Sequence, residues 1–442
     1  MGTRPWFSSA LLSLLLLGTG FNASAATFVV NSSGDEPDSS PGDGDCLTDG
    51  SVCTLRAAVQ EANSTPAVDT ITFAISSQSI PVITLQSLSI TRPLVIDGTT
   101  QTQDWVALAL DGESTLTIEA NNTTLRGLNI RGGQGTLLEL SVVSGVTIED
   151  NRIGTGSAGS ADGTPSTSGV CIRLEDAAAN NIRRNVISGC GVGLEITGSG
   201  SSENIVTANL IGTDRNGTSA IPNDAAGVWI HNGAANNRIG SSSDQNVISG
   251  NGGPGVLLGP ESQALTGNRV LGNLIGLSLS GGQLGNSGAG IEIRGSGSNI
   301  IGEGENTGNV ISGNDSDGIY IHATENEAAD TNFVSGNFIG TNTAGSVAIP
   351  NDGWGIRVSG STHNLLGGDN EDRANLISGN DAGGILLTEE SSDNDIAANI
   401  IGLDWLQNRA VGNGGPGVQI DQDSTSNVIG DRAANVISGN QG

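Results

Sequence analysis

The chain has no lysine, one tyrosine, one methionine and three histidines, and aromatic residues make up only 3% of it. Its 17 cationic side chains are all arginine and face 46 acidic ones, a formal charge of −29. Phosphate binding needs clustered cations, so this balance excludes nucleic acid as a partner, and it would repel an anionic bilayer. With so few rings, any core must be aliphatic, which disfavours a propeller with aromatic blade packing. No close CxxC pair exists and the histidines are scattered, so a zinc site is the weaker reading of the cysteines. The serine elbow GxSxG is absent. The GGxG runs at Gly132, Gly252 and Gly414 lack the Asp of a calcium-binding β-roll. After the first residues, no stretch is apolar enough to span a membrane.

What is present starts with a leader. Arg4, the apolar run Leu11 to Leu17 and the small residues Ala23-Ser24-Ala25 read as a secretory signal peptide over residues 1–25. The chain is therefore expected to be secreted, extracellular or on the cell surface, without a transmembrane segment once the signal is removed. Glycine is abundant, with 68 copies, and 36% of residues are apolar, mostly Val, Ile and Leu. That mixture suits short strands joined by tight turns rather than disorder.

Periodicity then decides the fold. NVISGN or a near copy begins at Asn185, Asn246, Asn309, Asn375 and Asn435, at intervals of 60 to 66 residues. A Gly followed by alternating apolar residues recurs at Gly169, Gly193, Gly227, Gly255, Gly290, Gly318, Gly355, Gly384 and Gly417, in steps of 24 to 37. From Gly193 onward long and short steps alternate, so two windings make one larger unit. Each winding carries three strands of three to five residues, too short and too far apart for hairpins. They can pair in parallel with the same segment one winding later, about 4.8 Å along the axis. The expected fold is an all-β parallel β-helix solenoid with aliphatic columns inside and stacked Asn at its corners. Helical solenoids are excluded by the Gly and Asn density. The longer windings carry insertions, GTDRNGTSAIPND from Gly212 and GTNTAGSVAIPND from Gly340. Asp214, Asp224 and Asp352 there could hold a cation or bond their own turns.

Solenoid ends need caps. Residues 26–75 are read as an N-terminal cap and 76–442 as the β-helix, truncated at its C-terminus because no divergent last winding follows the final NVISGN. Within the cap, residues 54–63 form a short amphipathic helix with Thr54 as N-cap and Leu55, Val59 and Ala62 on one face. Cys46 and Cys53, close together in a chain bound for an oxidising compartment, are expected to form a disulfide. Cys171 and Cys190 could form a second bridge or remain free buried thiols. The loop from Asp35 to Asp49 is acidic, and Asp43, Asp45 and Asp49 could take calcium through oxygen ligands. Its spacing does not match an EF-hand, and a solvated acidic loop is the plainer identity.

The segment Cys46…Cys53-Thr54-Leu55-Arg56-Ala57-Ala58-Val59-Gln60-Glu61-Ala62-Asn63 resembles the CSLREA motif of bacterial secreted and surface β-helix proteins. It departs from the motif at Thr54 and Ala57, where the motif has Ser and Glu. The resemblance covers residues 27 to 75, and the NVISGN and GT(D/N) repeats extend it along most of the chain. It implies export and a pectin-lyase-like right-handed β-helix, but no single activity.

Alternation within strands places the candidate site. If Val228 and Ile230 point inward, Trp229 and His231 point out. The same rule gives an outward strip holding Cys171, Arg173, Glu195, Glu292, Arg294, Tyr320, His322 and Arg357. The candidate carbohydrate-binding residues are Trp229, His231, Glu292, Arg294, Tyr320, His322 and Arg357, a set of rings, cations and carboxylates suited to sugars. The same residues would also serve as cross-rung pairs on a solvated face. Glycoside hydrolysis needs two carboxylates about 5 to 9.5 Å apart, whereas Glu195 and Glu292 lie three windings, about 14 Å, apart. The polygalacturonase signatures NTD, DD and GHG are absent, and no clustered Asp faces Arg294 or Arg357. The expected function is an adhesin or polysaccharide-binding rod engaging a polysaccharide or a host or cell surface. The alternatives are an extracellular polysaccharide lyase or glycoside hydrolase, or a structural spacer of a larger surface protein.

Overall fold

The computed structural model describes residues 2, 24–103, 105–156, 169–259, 265–304 and 307–442, so the expected leader lies almost wholly outside them. Three sheets of 14, 12 and 13 strands run side by side along one axis. Each winding visits them in a fixed order. Val228–His231 lies in the 12-stranded sheet, Arg238–Ile239 in the 14-stranded and Val247–Ile248 in the 13-stranded, and the chain returns at Val256–Leu258. Every pairing between these strands is parallel and joins successive windings.

The interior follows from the register. Ile196, Ile230, Leu258, Ile293, Ile321, Val358 and Leu387 form one column, each paired to the next. All seven are fully buried. Each such side chain contributes up to about 1.5–3 kcal/mol on leaving water, an upper bound because the unfolded chain already hides some surface. The predicted aliphatic stack is therefore present.

The corners are polar yet buried. Asn185, Asn209, Asn246, Asn273 and Asn309 form one ladder in which each side-chain amide donates to the Oδ1 of the next, at 2.9–3.0 Å. The same Nδ2 reaches back to a main-chain carbonyl of the previous winding, as Asn309 does to Val270 at 2.8 Å. Two further ladders, through Asn237 and Asn268 and through Asn251 and Asn286, repeat this logic at the other corners. The amides of these ladders thus find partners within the chain, as buried polar groups require.

The 60-to-66-residue repeat has a specific cause. The Ser of NVISG donates to the carbonyl at the base of the insertion on the next winding, Ser249 to Leu277 and Ser312 to Thr341, each at 2.7 Å. It also accepts from the main-chain N–H of Gly276 and Gly340. Serine is therefore needed where an insertion follows, which is every second winding. In these insertions Asp214 accepts from the main-chain N–H groups of Thr218 and Ser219 at 2.8 and 3.0 Å. Burial alone would raise its pKa, but these turn bonds hold it below the usual carboxylate range. Asp214 therefore closes its own turn.

At the N-terminal end the helix Leu55–Asn63 begins at Thr54, whose hydroxyl accepts from Ala57 N–H at 3.1 Å. Leu55, Ala58, Val59 and Ala62 are buried against the first winding. Arg56 forms an ion pair with Asp35 at 2.9 Å, and the buried Glu61 accepts from the N–H groups of Gly42 and Gly44 at 2.6 Å. The acidic loop is thus pinned to the helix. Asp43, Asp45 and Asp49 do not gather: among the described residues no group of three or more His, Cys, Asp or Glu could hold a metal.

Cys46–Cys53 is a disulfide, as expected, and Cys171–Cys190 is a second one. Cys171 is not on the outer strip. Its strand enters at a corner where alternation has not yet set in, so the side chain is buried in the core beside Ile172. Gly154, at φ +85°, lies under this bridge, and a Cβ there would come within 2.7 Å of both sulfurs. In the last winding, Ile420, Val428, Ile429, Val436 and Ile437 are exposed.

Candidate functional site

The outer face of the 12-stranded sheet carries the expected strip in two parallel columns. Register places Arg173, Glu195, Trp229, Leu257, Glu292, Tyr320 and Arg357 in one. Thr197 and His231 lie in the other, and so, farther along, do Arg294, His322 and Ser359. Within this strip the polar residues gather into two clusters of the same design.

The first cluster centres on Glu195. Its Oε1 lies 2.9 Å from His231 Nε2 and its Oε2 accepts from Arg173 Nε at 2.5 Å. Trp229 stacks on His231 with ring centroids 4.0 Å apart. Although it sits on the outer face, His231 is only 3% exposed. Burial alone would raise the Glu195 pKa, but the bonds from His231 and Arg173 and the Arg173 charge bring it below the usual carboxylate range.

The second cluster centres on Glu292, three windings on. Its Oε1 accepts from Arg294 Nη2 at 2.6 Å and lies 3.1 Å from His322 Nε2. Tyr320 stacks on His322 at 4.3 Å, and the Arg357 guanidinium lies over the Tyr320 ring at 4.8 Å. Glu292 is again held low: burial would raise it, and His322 and Arg294 outweigh that. A carboxylate can only accept, so His322 Nε2 carries the proton of this bond. The other ring nitrogen faces the Ala323 carbonyl at 3.2 Å. Both nitrogens thus face acceptor oxygens of the chain itself.

Glu195, its partner Arg173 and Asp317 complete the clusters beyond the residues first proposed as contacts. The Asp317 side chain is 7% exposed, accepts from Trp354 N–H at 2.7 Å and lies 3.9 Å from Arg357. Burial pushes its pKa up, and Trp354 and Arg357 only partly offset this. The expectation was that no clustered Asp faces Arg357; the structure brings one Asp to it, Asp317, from the corner. Asp317 stands at the corner before the strand Ile319–His322, outside the alternating pattern. Its signal was available: at the register just before each Gly of the repeat it is the sole ionisable residue from Gly193 to Gly417. The pairing of Glu195 with His231 and Glu292 with His322 was not legible, since it crosses diagonally between windings of unequal length.

Carbohydrate contact is within reach of this chemistry: half-buried rings, arginine donors and carboxylate acceptors converge on one face. Paired-carboxylate hydrolysis between Glu195 and Glu292 is not, at about 14 Å.

A family model described as right handed beta helix region matches residues 94–301. No curated protein matches the chain. Among solved structures, the chain is similar to the Dettilon tailspike protein gp208 at 16% identity and a TM-score of 0.49, over 86% of this chain and 66% of that one. It thus spans slightly less than two thirds of the tailspike chain. It is similar to the periplasmic alginate epimerase AlgG at 14% identity and a TM-score of 0.44, over 83% of this chain and 79% of that one. For the A-module of the Azotobacter vinelandii mannuronan C-5 epimerase AlgE4 the identity is 12% and the TM-score 0.43, over 87% of this chain and 96% of that one. The family match and the three parallel sheets identify the chain as an all-β right-handed parallel β-helix.

Proposed function

We propose that this chain is an exported rod that binds polysaccharide along the outer face of its 12-stranded sheet, as an adhesin or surface glycan-binding protein. One observation carries the reading: a ring, a histidine, a glutamate and an arginine recur as a unit twice on one face, three windings apart. A solvated face needs only ion pairs; the repeated placing of a half-buried ring beside them suits a repeating ligand. Two disulfides agree with an oxidising compartment, and among the described residues no helix is long and apolar enough to cross a membrane. The test is a binding panel of neutral and acidic polysaccharides against the parent, Trp229→Ala and Tyr320→Ala. Each substitution is expected to weaken binding about tenfold or more, the scale of a lost aromatic contact. Binding that both variants leave unchanged refutes the strip as the contact surface, and no binding to any member leaves the spacer role in its place.

A second reading, a polysaccharide lyase or glycoside hydrolase, has one observation in its favour. Asp317, buried and with its pKa raised, lies beside Arg357, which covers Tyr320. Against it stands His322, whose two nitrogens both face acceptors. Incubation with the same panel, with and without calcium, decides: release of unsaturated or reducing ends establishes catalysis.

A further inference from the structure

A different sheet carries a second site. On the outer face of the 14-stranded sheet, Arg238 and Arg269 sit directly across from each other on successive windings, about 4.8 Å apart. Like charges in that register destabilise a sheet. The chain has almost three acidic residues for every arginine, so carboxylate partners are plentiful. Yet only Arg269 has one, Glu303; among the described residues Arg238 forms no ion pair. The Nε atoms of both arginines are buried without a hydrogen-bond partner. They line a groove of about 450 Å³. Its other walls combine apolar surface from Ile205 and Leu271 with hydroxyls and an amide from Ser241, Ser242, Thr307 and Asn236.

We propose that this groove binds a carboxylated sugar, a uronate unit of an acidic saccharide. Arginine's planar fork matches a carboxylate, and the ligand's charge would supply the missing partner of Arg238. The hydroxyl-rich walls fit a sugar's hydroxyls, and the apolar ones fit the C–H face of its ring. Glu203 and Glu303 also line the groove, so a densely charged sulfated or phosphorylated ligand would meet two carboxylates there. A single carboxylate per unit is the better match.

The experiment is calorimetric titration of the full chain with a galacturonate tetramer, its carboxyl-reduced neutral counterpart, a sulfated oligosaccharide and inorganic sulfate. Arg238→Gln and Arg269→Gln are titrated alongside; both remove the charge with a shorter polar side chain and leave the main-chain pairing in place, and circular dichroism checks their folding. The expected result is tetramer binding that each substitution weakens about tenfold or more, with at least as large a loss for the neutral counterpart. Equal or tighter binding of sulfate or the sulfated oligosaccharide overturns the uronate assignment in favour of a general anion site. Tetramer binding unaffected in both arginine variants but lost in Trp229→Ala moves the ligand to the other sheet and overturns the groove. No tetramer binding by the parent overturns it as well. Should one arginine variant misfold, the other decides, because both residues are assigned to the same carboxylate.

Discussion

Replacing Glu195 by Gln separates an electrostatic hub from ordinary packing. The side chain is 7% exposed and accepts from Arg173 and from His231, whose own side chains are 33% and 4% exposed. Gln keeps the shape and one acceptor but removes the charge and turns an amide N–H toward a donor. Hydrogen bonds to charged groups contribute about 1.5–3 kcal/mol each. The Arg173 side is discounted because solvent reaches a third of it. A net loss of about 2 kcal/mol at neutral pH is expected, mostly from the His231 side. The pH dependence follows from the direction of the shift. The folded pKa of Glu195 lies below its unfolded value of about 4.3, so its contribution is complete above that value. It disappears as pH falls through the lower, folded pKa. Urea unfolding of parent and variant at pH 7, 5 and 3 should therefore give a gap that is full at pH 7 and smaller at pH 3. A gap of the same size at all three values, or none at pH 7, would refute the assignment of the charge as the source of stability.

Two further perturbations probe other parts of the molecule. Asn309→Ala removes the acceptor of the buried Asn273 main-chain N–H and amide, and two donated bonds, so a loss of about 3–5 kcal/mol in urea unfolding is expected; a loss below about 0.5 kcal/mol would mean the ladder is not a source of stability. Asp317→Asn should have the opposite pH behaviour to Glu195→Gln. The folded pKa of Asp317 is raised, so ionising it costs stability as pH rises through that value, and the variant should gain on the parent between pH 3 and pH 7 in thermal melts. A parent that gains instead would show that Arg357 outweighs burial.

What could be read from the sequence, and what could not, divides along a physical line. Ile230, Leu258, Ile293 and Ile321 were placeable because an inward column needs only the same residue class at the same phase of each winding. The helix from Leu55 and the Asn corners were placeable too, since caps and ladders follow local rules. Alternation failed at Cys171, where a corner bends the strand before the pattern begins, and it could say nothing of Asp317, which lies on a corner itself. The histidine pairs show the deeper limit. Glu195 and His231 are 36 residues apart, Glu292 and His322 only 30. No fixed spacing in the sequence joins them. In three dimensions the two relations are identical, one winding up and two residues along, because insertions change the length of a winding without changing its rise. A side chain's partner in a solenoid is therefore set by register, and a repeated function can be carried by residues whose separation never repeats.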